Sequence, residues 1–455
     1  MEKILKALKD SEAETFSGLF EFLRFPSVSA DPQSAGDVRR CAEWLAEKMK
    51  MDGFAASVEE TGGHPAVLGR WDKNPGAPTV LIYGHYDVQP AVKSDGWNHE
   101  PFTPVIDGEK LYCRGSSDDK GQFWCHYAAA KAHLKAYGKL PVNVIFLVEG
   151  EEEANTGKFD NYVRESAKKL ACDAVIVSDG PMYGDGFPAL TYSLRGLAYM
   201  EFTVTGPDRD LHSGVMGGIV MNPAQALAKM ITSLKDEEGR IMVEGFFDGV
   251  APVAQWERDN WKKLPFDEAA SAKEIGVETL AGEVGYTWLE RLWARPTLDV
   301  NGMWSGYIGE GSKTIIPSAA SAKISCRLVP GQDPDRIAEL LEAKMRSVMP
   351  KGVTMTAKML AKAQPVLLPY SGPAVEGALA AMEAAYGREP FRIREGATIP
   401  VVHTLAESLG APVVLAGLGR VSDRIHGPDE HFRLEDLRSG MEFSARLLTE
   451  LAGRL

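Results

Sequence analysis

Val80-Leu81-Ile82-Tyr83-Gly84-His85-Tyr86-Asp87 joins a short, wholly apolar run to a glycine, a histidine and an aspartate. A run that is apolar on every residue has no solvent face, so it belongs to a central sheet covered by helices on both sides. Val144-Ile145-Phe146-Leu147-Val148, Ala174-Val175-Ile176-Val177 and Val413-Val414-Leu415-Ala416 have the same character. Stretches with helical spacing lie between them. In 37–53, Val38, Cys41, Ala42, Leu45 and Met49 recur at helical intervals and Gly53 can end the helix, and 121–137 reads as another helix. The expected class is α/β, a mostly parallel central sheet with helices on both faces.

A second kind of strand occupies the middle of the chain. Ala198, Met200, Phe202 and Val204 alternate with Tyr199, Glu201, Thr203 and Thr205, and residues 320–327 repeat the pattern through Ala322, Ile324 and Cys326. Period-two alternation marks a sheet with one face on a core and the other open. Helical stretches at 222–234 and 333–348 and a further strand near 353–357 complete a strand-helix-strand-strand-helix-strand series, an α+β unit of the ferredoxin-like kind. The fully apolar strands resume only near Val413. The second domain is therefore expected as an insertion over 195–364, leaving 1–194 and 365–455 as two parts of the α/β domain. A length of 455 residues agrees with more than one core.

The chemistry follows the buried strands. His85 and Asp87 come after the first, Glu149-Gly150-Glu151-Glu152-Glu153 after the second, Ser178-Asp179 after the third, and a loop ending at His426 after the fourth. Asp118 arrives in Arg114-Gly115-Ser116-Ser117-Asp118-Asp119-Lys120-Gly121, just before a helix. Ligands of open α/β sheets bind at the carboxyl ends of the strands, where these groups collect. Asp118, Glu152, Glu153 and Asp179 brought together would each disfavour ionisation of the others. Two divalent ions turn such a cluster into a site, and the imidazoles of His85 and His426 complete a nitrogen and oxygen donor set suited to Zn²⁺, with Mn²⁺ or Co²⁺ as alternatives. His85 and Asp87 are two apart on an extended segment, so Asp87 can accept from the second imidazole nitrogen and orient the ligand. Adjacent Glu152 and Glu153 point in different directions, so one can bind metal while the other faces water as general base.

Each element has a plainer reading. A lone His-x-Asp after a strand is usually a loop with a hydrogen-bonded neighbour, and three consecutive glutamates are normally a solvated surface. His64, His99, His126, His133, His403 and His431 are read as structural. The case for metal rests on all the elements falling at strand ends or a helix start.

Composition narrows the class. The net charge of −13 and the lack of a basic run exclude a nucleic-acid partner. No run of apolar residues is long enough to span a membrane, and the N-terminus has early acids and no apolar signal core, so a cytoplasmic protein is expected. Cys41, Cys113, Cys125, Cys172 and Cys326 are odd in number and form no CxxC pair, which suits buried thiols in a reducing compartment.

Longer motifs resemble a family, the di-zinc metallopeptidases that include carnosinase, cytosolic nonspecific dipeptidase, glutamate carboxypeptidase and acetylornithine deacetylase. The resemblance is nearest to the carnosinase and nonspecific dipeptidase branch and covers nearly the whole chain. Its carriers are Tyr83-Gly84-His85-Tyr86-Asp87-Val88-Gln89-Pro90, Asp95-Gly96-Trp97, Pro101-Phe102, the 114–121 and 149–153 segments, Leu211-His212-Ser213-Gly214-Val215, Arg327-Leu328-Val329-Pro330 and Arg394-Glu395-Gly396-Ala397-Thr398-Ile399-Pro400. The resemblance implies an exopeptidase that hydrolyses dipeptides or short peptides with a free carboxylate, using a water held between two metal ions. It implies that Asp118 bridges both ions, that His85 and Asp179 complete one site and Glu153 and His426 the other, that Glu152 is the base, that Asp87 supports His85, and that the Asp118–Asp119 peptide is cis. It makes the inserted domain a lid and the interface of a homodimer, with His212 reaching the partner subunit's active site. Arg327 would grip the substrate carboxylate beside Thr314, Gly396 and Thr398. Aspartate at 179 resembles the aminopeptidase and dipeptidase members, whereas deacylases and carboxypeptidases typically carry glutamate. Ala397 and Thr398 replace a Gly-Ser pair of carnosinase, and Glu151 an apolar residue, which leaves the chemistry intact and the side-chain preference open.

Two rivals stand beside this expectation. An N-acyl-amino-acid deacylase would use the same machinery, and a binding protein could keep the fold without turnover, although binding alone needs no Glu152. No GxSxG occurs, and no GxGxxG follows a strand, which disfavours a serine hydrolase and a dinucleotide enzyme.

Overall fold

The computed structural model describes every residue except Asp185, Ala397 and Thr398. The chain divides into two compact units, one of Met1–Tyr192, Leu368–Ile393 and Val401–Leu455, the other of Ser193–Leu367 and Arg394–Pro400.

In the first unit each wholly apolar run is a strand: Thr79–His85, Asn143–Glu149, Ala174–Val177 and Val413–Leu415. They lie parallel and adjacent, Asn143–Glu149 on Thr79–His85, then Ala174–Val177, then Val413–Leu415. Antiparallel neighbours flank this parallel centre. Ala66–Trp71 pairs with Asn143–Glu149, Ala55–Glu59 pairs with Ala66–Trp71, and on the other side Leu415 lies opposite Thr191. Parallel strands deliver all their carboxyl ends to one edge, so the residues following Tyr83, Val148, Val177 and Leu415 emerge together.

Helices Ala35–Met51, Lys120–Tyr137, Pro373–Tyr386 and Leu434–Arg454 flank the sheet. Val38, Cys41, Ala42, Leu45 and Met49, the stripe read from the sequence, are all fully buried. Phe146 of the central sheet meets Phe54, Phe123 and Tyr127 at ring-centroid distances of 5.5, 5.7 and 5.8 Å. Edge-to-face packing of this kind adds about 0.5–1.5 kcal/mol per pair to burial itself. The start of Lys120–Tyr137 needs glycine. A Cβ on Gly121 would stand 1.9 Å from the Ser116 carbonyl oxygen, so only a bare Cα lets the 114–120 turn fold back onto the helix.

The second unit holds a four-stranded antiparallel sheet in the order Thr297–Ser305, Ala319–Leu328, Gly196–Thr205, Thr354–Ala363. Helices Pro223–Thr232 and Pro334–Ser347 complete the expected βαββαβ series. Each begins at a side-chain cap followed by proline: Asn222 accepts from Ala224 N, and Asp333 from Arg336 N. Phe202, Ala322, Ile324, Leu227, Leu341 and Met345 form its core. The last strand runs beyond the expected 353–357 to Ala363, because it stays paired with Gly196–Thr205 down to Leu197. Short helices at Gln255–Trp261, Glu268–Glu274 and Trp288–Trp293 were not legible beforehand, being too short to show a period.

Candidate active site

The carboxyl edge of the parallel strands gathers His85, Asp118, Glu153, Asp179 and His426 into two overlapping groups. Ligand atoms of His85, Asp118 and Asp179 lie within 4.8 Å of one another, as do those of Asp118, Glu153 and His426. Asp118 belongs to both and faces them with different oxygens. Oδ1 is 3.0 Å from His85 Nε2, and Oδ2 is 2.9 Å from His426 Nε2. Asp179 Oδ1 lies 3.9 Å from His85 Nε2, and Glu153 Oε1 3.3 Å from His426 Nε2. The Asp118–Asp119 peptide is cis. His85 is fully buried at the end of its strand, whereas the His426 side chain is 54% exposed on a loop with φ of 63°.

Asp87 is a hub rather than a simple partner for His85. The shorter contact of His85 Nδ1 is to the Asp87 backbone carbonyl at 3.0 Å, with carboxylate Oδ1 at 3.5 Å. The carboxylate is taken up by other donors. Ser29 Oγ donates to Oδ2 at 2.6 Å, Glu152 N to Oδ1 at 3.2 Å and Glu153 N to Oδ2 at 3.0 Å. It therefore orients both glutamates through their own amides. Gln89 Nε2 then donates to Glu153 Oε2 at 2.6 Å, leaving Oε1 toward His426.

Glu430 does for Asp118 what Asp87 does for the glutamates, and the sequence reading missed it. Fully buried, it accepts from Gly115 N at 3.1 Å, Ser117 N at 3.0 Å, Asp118 N at 3.1 Å and Arg114 Nη1 at 2.7 Å. Arg114 Nη2 also donates to the His426 carbonyl at 3.2 Å, tying the two ligand-bearing loops. The other acids of the glutamate run are structural. Glu149 accepts from the Tyr83 hydroxyl at 2.7 Å, and Glu151 from His64 N, Thr156 Oγ1 and Phe159 N. His126 and His133, read as packed helical residues, are buried against Ser178 Oγ and the Ala445 carbonyl.

The recognition candidates belong to the second unit. His212 precedes the short helix Ser213–Met216, and its Nδ1 accepts from Gly214 N at 3.0 Å. The Thr314 carbonyl accepts from Ser213 N at 3.0 Å. Arg327 lies on Ala319–Leu328, opposite Leu197 and Thr297. Gly396 lies against Arg195, where an added Cβ would be 3.3 Å from a guanidinium nitrogen. Thr398 lies outside the described residues.

The sequence profile of Peptidase family M20/M25/M40 matches residues 81–450. The chain belongs to this family. It is thereby a metallopeptidase, a hydrolase acting on peptide bonds. It is 30% identical to the Cys-Gly metallodipeptidase of Saccharomyces cerevisiae, over 98% of this chain and 97% of that one. Among solved structures it is similar to human carnosine dipeptidase 1 (TM-score 0.82, 28% identity, 99% and 98% of the two chains). It is also similar to an M20 family metallo-carboxypeptidase from Sulfolobus solfataricus (TM-score 0.83, 33% identity, 96% and 99%).

M20 membership implies divalent metal ions, and the cluster suits them on its own electrostatics. Burial, then repulsion from Asp118 and Glu153, pushes Asp179 up to about 7 against the pull of His85. Burial and the neighbouring Asp179 raise Glu152 well above the usual carboxylate range. Burial works against protonation of His85, but its bonds to Asp118 and Asp87 outweigh it and raise that imidazole well above its ordinary value. Asp118 and Glu153 raise His426 to about 10. Acids driven up beside imidazoles driven up mark a surplus of buried negative charge, which divalent cations neutralise. The donor set, one imidazole nitrogen and two carboxylates per group, suits borderline metals. Because the Asp87 carboxylate orients Glu152 and Glu153 through their amides, Asp87→Ala should weaken metal binding about 10–100-fold and lower kcat as well. Titration of metal-free protein followed by calorimetry measures this, and undiminished affinity would remove Asp87 from the role.

Proposed function

We propose that the protein is a dipeptidase that binds two divalent ions, Zn²⁺ in the native state, and cleaves short peptides bearing a free C-terminal carboxylate. The observation that carries this reading is the pair of ligand groups sharing Asp118 through its two oxygens, with Glu152 held beside them. One group is His85, Asp118 and Asp179, the other Asp118, Glu153 and His426. When bound, such ions polarise a carbonyl and lower the pKa of water. Glu152 accepts the proton of the attacking water and returns it to the leaving amine. The hydrogen bond that its backbone N–H donates to Asp87 fixes the direction from which it does so. Similarity to the yeast Cys-Gly enzyme and the human carnosine enzyme supports dipeptides as the substrate class. Similarity to the Sulfolobus carboxypeptidase favours a second reading, release of a C-terminal residue from longer peptides. A panel of dipeptides, longer peptides and N-acetyl amino acids separates these from a deacylase. Free cysteines suit the reducing cytoplasm as its location.

Arg327 is the proposed anchor for the carboxylate. It stands beside Arg195, whose own pKa is lowered to about 10 by burial and then by the charge of Arg327. Neighbouring guanidinium groups favour an anion, and the planar fork can hold one in two parallel hydrogen bonds. We also propose a homodimer formed through the second unit. In its support, the edge strand Thr297–Ser305 exposes Val300, Met303 and Trp304, and Ile308 follows at 88% exposure. An apolar open sheet edge is a surface that proteins normally cover. In that dimer His212 completes the partner subunit's site by stabilising the developing oxyanion.

Glu152→Gln should retain both ions and lose about 10²–10⁴ in kcat. Glu153→Gln should instead lose affinity for one ion and recover partly in excess metal. Metal analysis together with steady-state kinetics checks both, and identical behaviour of the two variants would refute the division of roles.

A dipeptide should be cleaved far better than its C-terminal amide, with Arg327→Ala erasing the difference. Equal cleavage of acid and amide by the unmodified protein would count against the anchor.

Homodimers of His212→Ala and of Glu152→Ala should each be nearly inactive. After subunit exchange, about half the dimers are mixed, each with one intact composite site, so about a quarter of all sites should recover. Activity that stays at the parental level once exchange is verified would show that His212 does not act across the interface.

A further inference from the structure

Asp423 is fully buried three residues before His426, outside both ligand groups. Its Oδ2 accepts from Ser117 Oγ at 3.0 Å and from Arg420 N at 2.8 Å. Ser117 directly precedes Asp118 and is held again by Glu430, which accepts its amide at 3.0 Å. Two carboxylates of the His426 loop thus grip this one residue, one at its hydroxyl and the other at its backbone. Gly419 allows the approach, since a Cβ there would stand 2.6 Å from Ser117 Oγ and 3.3 Å from Asp423 Oδ2. Gln122 adds a parallel link, donating to the Ser117 carbonyl at 2.7 Å and accepting from Leu418 N at 2.7 Å.

These bonds matter because the two imidazoles are held differently. His85 ends a central strand and is fully buried, so the sheet itself sets its position. The His426 side chain is more than half exposed, on a loop in the left-handed region, so packing does little to place it. Its distance to Asp118 is set by what laces the two loops together. We propose that Asp423 is a positioning residue that holds His426 in register with Asp118 through Ser117. The Asp118, Glu153 and His426 site then depends on Asp423, and the His85, Asp118 and Asp179 site does not. This rests on the two-metal reading above.

The test is Co²⁺ titration of the metal-free full-length chain, followed by calorimetry and visible absorption. Asp423→Ala and Ser117→Ala should each weaken one site about 10–100-fold, a loss typical of groups that orient metal ligands. The weakened site should be the one that His426→Ala abolishes, and the other should keep its affinity. Ser117→Thr keeps the hydroxyl and should bind like the unmodified protein. The double variant should be no weaker than the weaker single one, since both remove one link. Should Asp423→Ala fail to fold, the Ser117→Ala and Ser117→Thr pair decides the matter. Unchanged affinity in Ser117→Ala, equal weakening of both sites, or additive losses in the double variant would overturn the proposal. Uptake of fewer than two Co²⁺ by the unmodified protein would instead overturn the two-metal reading, and this inference with it.

Discussion

Negative charge collected at one edge of a parallel sheet is the constraint on which the rest of this structure depends. Asp118, Glu153 and Asp179 lie within reach of two imidazoles, with Glu152 beside them; burial and repulsion disfavour ionisation of Glu152 and Asp179, while the bonds from His426 and His85 hold Asp118 in its charged form. Such an arrangement persists only if the backbone that presents it is held by something other than the charges themselves. Here that work falls to further buried carboxylates. Asp87 accepts from the amides of Glu152 and Glu153, and Glu430 from those of Gly115, Ser117 and Asp118. A carboxylate whose lone pairs are taken by backbone N–H groups is satisfied without a metal ion and fixes the direction of the next side chains.

The two ligand groups are built on different principles. One imidazole is placed by a central strand and buried on all sides, the other by a loop that must be tied down residue by residue. Asp118 connects them, and its turn is held by Glu430, Asp423 and Gln122. Gly121 belongs to the same design, since any side chain there would strike the Ser116 carbonyl and open the turn. Substitutions outside the ligand groups, at Glu430 or Gly121, therefore bear directly on the chemistry.

Much of this was legible beforehand, for reasons that can be named. Wholly apolar runs are rare outside central sheets, so four of them marked the parallel centre, and acids directly after such runs point to the strand ends where α/β proteins bind ligands. Period-two alternation at 198–205 and 320–327 marked the second sheet equally well. Glu430 was not legible. It stands in Pro428-Asp429-Glu430-His431, where nothing local separates it from a solvated acid, and its amide donors lie more than three hundred residues earlier. Asp423 was hidden for the same reason, its donor Ser117 lying 306 residues earlier. The contact expected between the His85 imidazole and the Asp87 carboxylate is longer than that to the Asp87 carbonyl, because three other donors claim the carboxylate.

By itself, then, the sequence determined the four strands at the parallel centre, the alternating strands at 198–205 and 320–327, and the residue types delivered to the sheet edge. These follow from periodicity and from groups adjacent in the chain, which are local properties. Tertiary structure alone decided which acids become candidate ligands and which become staples, and which oxygen of Asp118 faces which imidazole. Those choices depend on donors brought in from distant segments, and a carboxylate's role is set by what surrounds it, not by where it stands in the chain.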